Sequence, residues 1–120
     1  MSRFEHSVFV KRLVFYSFVL SLSTNAFSEE HKVSMEGWEF NPASLTVKIG
    51  DTVVWINNDD TKHKISFENK LLGGPTRDDA HKFNIGDKFN FKFTKAGKFK
   101  YVCTTHEGQD MVGVIVVKDK

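Results

Sequence analysis

Cysteine is almost absent from this chain of 120 residues: Cys103 is the only one, so no disulfide can form within it. Proline is nearly as scarce, with Pro42 and Pro75 alone, and no proline-rich linker, internal repeat or low-complexity tract is visible. No apolar run approaches the roughly 20 residues needed to cross a bilayer as a helix. No helical 3.6-residue pattern of any length appears after the first 28 residues. These absences exclude a disulfide scaffold and argue against a helical bundle and a permanent transmembrane anchor, an uncleaved or interfacial anchor being the alternative to a cleaved leader. The length suits one domain.

The first residues differ from the rest. Arg3, Lys11 and Arg12 form a basic lead, and the apolar stretch from Leu13 to Leu22 follows. Ala26 and Ser28 then stand like the small residues before a cleavage point, so residues 1–28 read as a secretory signal peptide. Cleavage after Ala26 remains an alternative to cleavage after Ser28. Removing residues 1–28 takes away three basic residues and one acidic one, leaving fourteen of each in residues 29–120. The basic character of the whole chain therefore belongs to the leader, and neither nucleic acid nor stable membrane insertion is expected of the exported domain. An exported, periplasmic monomer is the expectation.

A domain of about 90 residues buries a limited core and often needs a staple. Disulfides being excluded, a metal is one staple left, and a lone thiol in an oxidising compartment is a liability that either burial as an inert core residue or metal ligation would answer. Short alternating runs broken by turn residues fill residues 29–120. His31–Met35, Leu45–Ile49, Val53–Trp55 and Ile65–Phe67 read as strands. Residues 71–81 read as an irregular loop, with room for a short helix. Phe89, Phe91 and Phe93 share one face against Lys88, Asn90 and Lys92, and Phe99, Tyr101 and Cys103 share another. Val112–Val117 is the last strand. Seven or eight short strands with turns between them indicate an all-β sandwich or barrel.

The chemistry concentrates in Cys103-Thr104-Thr105-His106-Glu107-Gly108-Gln109-Asp110-Met111. One thiolate, one imidazole and one thioether lie in a loop between two strands. Soft sulfur suits Cu(I), imidazole accepts Cu(II), and a second histidine completes a trigonal site with a weak axial methionine. His63, at the end of the polar turn 57–62, is the best second imidazole. His31 and His81 are its rivals and read as surface residues, while Met35 reads as core. A thioether is a poor ligand for structural zinc. With Glu29 as amino terminus, Glu29-Glu30-His31 would also offer a square-planar Cu(II) chelate.

Two stretches carry a resemblance. Glu39–Asn58, reading EFNPASLTVKIGDTVVWINN, resembles the opening strands of plastocyanin-like cupredoxins. Phe99 to His106, continuing to Met111-Val112-Gly113, resembles their copper loop, with a His-to-Met length closer to plastocyanins and pseudoazurins than to amicyanins. The resemblance implies a Greek-key β-sandwich over residues 29–120 and one mononuclear copper ion held by His63, Cys103, His106 and Met111. It also implies one-electron transport between donor and acceptor redox proteins. Lys62 and Lys64 flank His63 where the family usually places Pro and Asn, and Thr105 stands where Pro is common. Nearby lysines would favour the reduced, less positive copper, subject to screening.

A periplasmic copper chaperone or copper sensor is the alternative from another class, separated by whether copper stays bound during redox cycling. An enzyme would pair Cys103 with His106 as nucleophile and base. No orienting third group or oxyanion-hole motif accompanies them, so no enzyme is expected. His106 is the expected electron port, and Glu107 and Asp110 give its loop an acidic character that fits a basic partner patch.

Overall fold

The computed structural model describes residues 27–105 and 110–119. Alternating apolar residues form nine strands among them. These are β1 (Glu30–Glu36), β2 (Glu39–Asn41), β3 (Ser44–Lys48), β4 (Thr52–Asn57), β5 (His63–Phe67), β6 (His81–Phe83), β7 (Lys88–Lys92), β8 (Gly97–Cys103) and β9 (Val112–Lys118). One turn of 3₁₀ helix, Lys70–Leu72, lies between β5 and β6. The count exceeds the seven or eight expected because β2 and β6 have three residues each, too few to show a period.

The strands form two mixed sheets, ordered β2-β1-β4-β7 and β3-β9-β8-β5-β6. β1 pairs parallel with β4 and β3 parallel with β9, while the other pairings are antiparallel. Strands distant in sequence thus lie side by side, which is how the chain brings its two motifs together. Gly37 and Trp38 make the two-residue β1–β2 turn with φ of 58° and 66°. Positive φ at both central positions is the requirement of a tight hairpin whose twist matches its strands.

The core lies between the sheets, with Trp55 spanning them. Its ring sits 5.9 Å from Phe89 in its own sheet, and 5.8 Å from Phe67 and 5.4 Å from Tyr101 in the facing one. Such aromatic pairs add about 0.5–1.5 kcal/mol each beyond the burial of area. Phe93, Phe99, Tyr101 and Cys103 are all buried, as the alternation predicted, and Met35 is a fully buried core residue. The Tyr101 ring occupies the space over Gly113, its register partner on β9. An added Cβ there would collide with the ring. Gly113→Ala should therefore cost about 1–3 kcal/mol by overpacking, read as a lower urea midpoint with an unchanged slope.

At the opposite sheet, Asp51 ties three segments. One carboxylate oxygen accepts from the Glu29 N–H at 2.9 Å; the other accepts from the Lys48 N–H and meets His31 Nε2, each at 2.9 Å. Glu29, His31 and Asp51 present donors within 4.8 Å of one another. His31 is thus occupied at a strand anchor. From Glu30 onward β1 is extended and paired with β4, a different arrangement from the wrapped Glu29-Glu30-His31 chelate.

Burial alone would raise the Asp51 pKa, but the bonds from Glu29, Lys48 and His31 outweigh it and lower it from 3.8 to about 2. A carboxylate depressed on folding stabilises the fold above its unfolded pKa, here by about 2 kcal/mol. Urea unfolding should show that advantage over Asp51→Asn in full above about pH 4. It should fade as the pH falls through about 2. A difference independent of pH would contradict this assignment.

Candidate metal centre

β5 and β8 are antiparallel neighbours, with Ile65 opposite Cys103. The beginning of β5 and the end of β8 therefore meet at one pole of the sandwich. His63 opens β5 and Cys103 closes β8, each with its side chain fully buried. Cys103 Sγ lies 3.6 Å from His63 Nδ1. Met111 precedes β9, and its carbonyl accepts the Cys103 N–H at 3.0 Å. That bond clamps the two ends of the intervening loop. Met111 is also buried, so three of the expected ligand residues converge on this pole. His106 lies outside the described residues, as does Glu107.

The donor set suits copper, and the spacing agrees with it. Cys103 Sγ and His63 Nδ1, 3.6 Å apart, are near enough for one ion to be held by both. Without an ion, the same pair can make an S–H···N contact, which spares the buried Nδ1 from being unsatisfied.

The turn carrying His63 is held by side chains whose importance the sequence did not announce. Asn57, fully buried at the end of β4, uses both amide hydrogens and its oxygen. It donates to the Thr61 carbonyl at 2.8 Å and the Asn84 carbonyl at 3.1 Å, and accepts the Asp59 N–H at 3.0 Å. Its backbone N–H donates to the Asp87 carbonyl and its carbonyl accepts from Gly86 N–H, joining the turn to the β6–β7 connection.

Asp59 continues the chain of contacts. One oxygen accepts the Gly37 N–H at 2.8 Å, and the other lies 2.7 Å from His63 Nε2. The Trp38 N–H points to the same carboxylate at 3.5 Å. Burial would raise the Asp59 pKa, but His63, Gly37 and Trp38 together bring it below the usual carboxylate value. The only sequence signal was the four-residue spacing to His63, and the neighbouring Asp60 carries the same side chain but is exposed.

The rival histidines sit elsewhere. His31 is on Asp51, and His81 stacks on Phe89 with centroids 4.3 Å apart. Burial lowers the His81 pKa, against the opposing pull of Asp87. Lys62 and Lys64, flanking the buried His63, are exposed.

Comparisons with known proteins identify the family. A family model described as copper binding proteins of the plastocyanin/azurin family matches residues 28–118. A chloroplastic plastocyanin of Tetradesmus obliquus is 33% identical over 106 residues, covering 84% of this chain and 73% of that one. A plastocyanin of Nostoc punctiforme is 30% identical over 132 residues, covering 98% of this chain and 94% of the relative. Among solved structures, a reduced amicyanin variant superposes with a TM-score of 0.62 at 29% identity, over 74% of this chain and 82% of that chain. The Cu(I) form of a second amicyanin variant gives 0.61 at 29% identity, over 78% and 87%. The chain belongs to the plastocyanin/azurin family of copper-binding proteins, a cupredoxin with copper as its cofactor and electron carriage, not catalysis, as its role.

Proposed function

We propose that the mature domain is a periplasmic one-electron carrier whose single copper ion is held by His63, Cys103, His106 and Met111. The observation that carries the ligand assignment is the buried approach of Cys103 Sγ to His63 Nδ1, with Met111 closing the same pole. When bound, copper supplies the Cu(I)/Cu(II) couple. The chain would supply the Cys103 thiolate, the His63 imidazole and the Met111 thioether from buried positions at or beside strand ends, with His106 as the second imidazole. Little rearrangement at the ligands means little barrier to electron exchange. Burial of His63 and Cys103 also opposes the ligand exchange that a copper chaperone needs to hand over its metal.

Export rests on residues 1–28, which read as a signal peptide, and on the family match beginning at residue 28. No helix among the described residues is long and apolar enough to cross a membrane. Cleavage after Ser28 has a further support in the Asp51 anchor. It would convert the Glu29 nitrogen, 2.9 Å from the buried Asp51 carboxylate, into an ammonium facing an opposite charge. Mass measurement of the exported protein should accordingly give a chain starting at Glu29; a start at Phe27 would contradict that processing site.

Protein-film voltammetry in the presence of a Cu(I) chelator tests the role. A carrier gives a reversible one-electron wave that persists through repeated cycling, with the copper retained. Loss of copper to the chelator within a few cycles, with sluggish electron exchange, would favour the chaperone instead.

A further inference from the structure

The two ring nitrogens of His63 have different surroundings, and the ring is fully buried. Nδ1 faces Cys103 Sγ at 3.6 Å, whereas Nε2 lies 2.7 Å from Asp59 Oδ2. An ionised carboxylate can only accept hydrogen bonds, so this short contact places the ring hydrogen on Nε2. Nδ1 is left with its lone pair directed toward the sulfur. The carboxylate thus selects which nitrogen can bind a metal.

Asp59 is itself immobilised. Gly37 and Trp38 both have positive φ, so their successive N–H groups point inward at the carboxylate, the arrangement of an anion-holding nest. Asn57 fixes the Asp59 backbone from the other side. The β1–β2 hairpin, a structure far from β5 in sequence, therefore braces the imidazole of β5 through one side chain.

We propose that Asp59 is a positioning residue of the copper centre: its carboxylate fixes His63 as an Nδ1 ligand and makes that imidazole a stronger donor, biasing the site toward Cu(II). This rests on the assignment of His63 as a ligand. A carboxylate bonded to the far nitrogen of a ligand imidazole raises its basicity. Negative charge beside the metal favours the more positive oxidation state. Lys62 and Lys64 pull the other way, but both are exposed and screened by solvent and salt, whereas Asp59 is nearly buried and in direct contact. The carboxylate dominates, and the site should be less oxidising than its two flanking lysines imply.

The test compares wild type with Asp59→Asn, which keeps an acceptor oxygen while removing the charge. Both proteins should retain the thiolate–copper colour. The variant should bind Cu(II) about 10- to 100-fold more weakly with Cu(I) affinity nearly unchanged, equal to a rise of about 60–120 mV in reduction potential. Unchanged potential and affinity ratio in a coloured variant would overturn the bias toward Cu(II).

Nitrogen-15 NMR of metal-free wild type tests the positioning role without any variant that must fold. Protonated Nε2 and bare Nδ1 on His63 are expected, and a tautomer mixture would overturn the proposal whatever copper does. A correctly poised tautomer in a protein that gives no thiolate–copper colour would instead overturn the ligand assignment, and the copper bias with it.

Discussion

A thiol and an imidazole 40 residues apart in sequence meet because β5 lies antiparallel against β8. That pairing aligns the start of one strand with the end of the other at a single pole. Everything else at the centre depends on it. β9 continues the sheet beyond β8, so Met111 arrives at the same pole, and the Cys103 N–H to Met111 carbonyl bond sets the spacing of the loop between them. The Trp55-centred aromatic core joins the two sheets, and the pole inherits its rigidity. For an electron carrier this is the useful property, since ligands that move little on oxidation add little to the barrier.

The polar support of the site is concentrated on one residue pair. Asn57 spends its whole hydrogen-bonding capacity on the 57–63 turn and the β6–β7 connection, and Asp59 joins that turn to the β1–β2 hairpin. Buried polar groups are costly when left unmet and specific when fully met. Here every bond of Asn57 helps to fix where His63 begins its strand. The exposed Lys62 and Lys64 lie outside that frame, which separates the surface charge beside His63 from the placement of its ring.

Much of this was legible in the sequence because it rested on periodicity and on scarce residue types. Phe89, Phe91 and Phe93 alternate with solvated residues, and Phe99, Tyr101 and Cys103 are buried on one face of β8. A single cysteine followed at short range by histidine and methionine left few chemistries open, and His63, Cys103 and Met111 do converge on one pole. β2 and β6 were missed because three residues carry no period. Asp59 was missed for a different reason: apart from its four-residue spacing to His63, nothing local distinguishes it from Asp60. Its role depends on a hairpin turn more than 20 residues earlier in the chain. The rival His31 was legible only as a surface residue, because the buried Asp51 that engages it belongs to another strand.

The central claim is that Cys103 binds copper as a thiolate within this pole. The visible and electron paramagnetic resonance spectra of the mature domain with one equivalent of Cu(II), recorded beside Cys103→Ser, test it most directly. Wild type should show an intense colour with small copper hyperfine splitting, both lost in the variant. A pale, square-planar signal indifferent to Cys103 would contradict it and move the copper to histidines outside this centre.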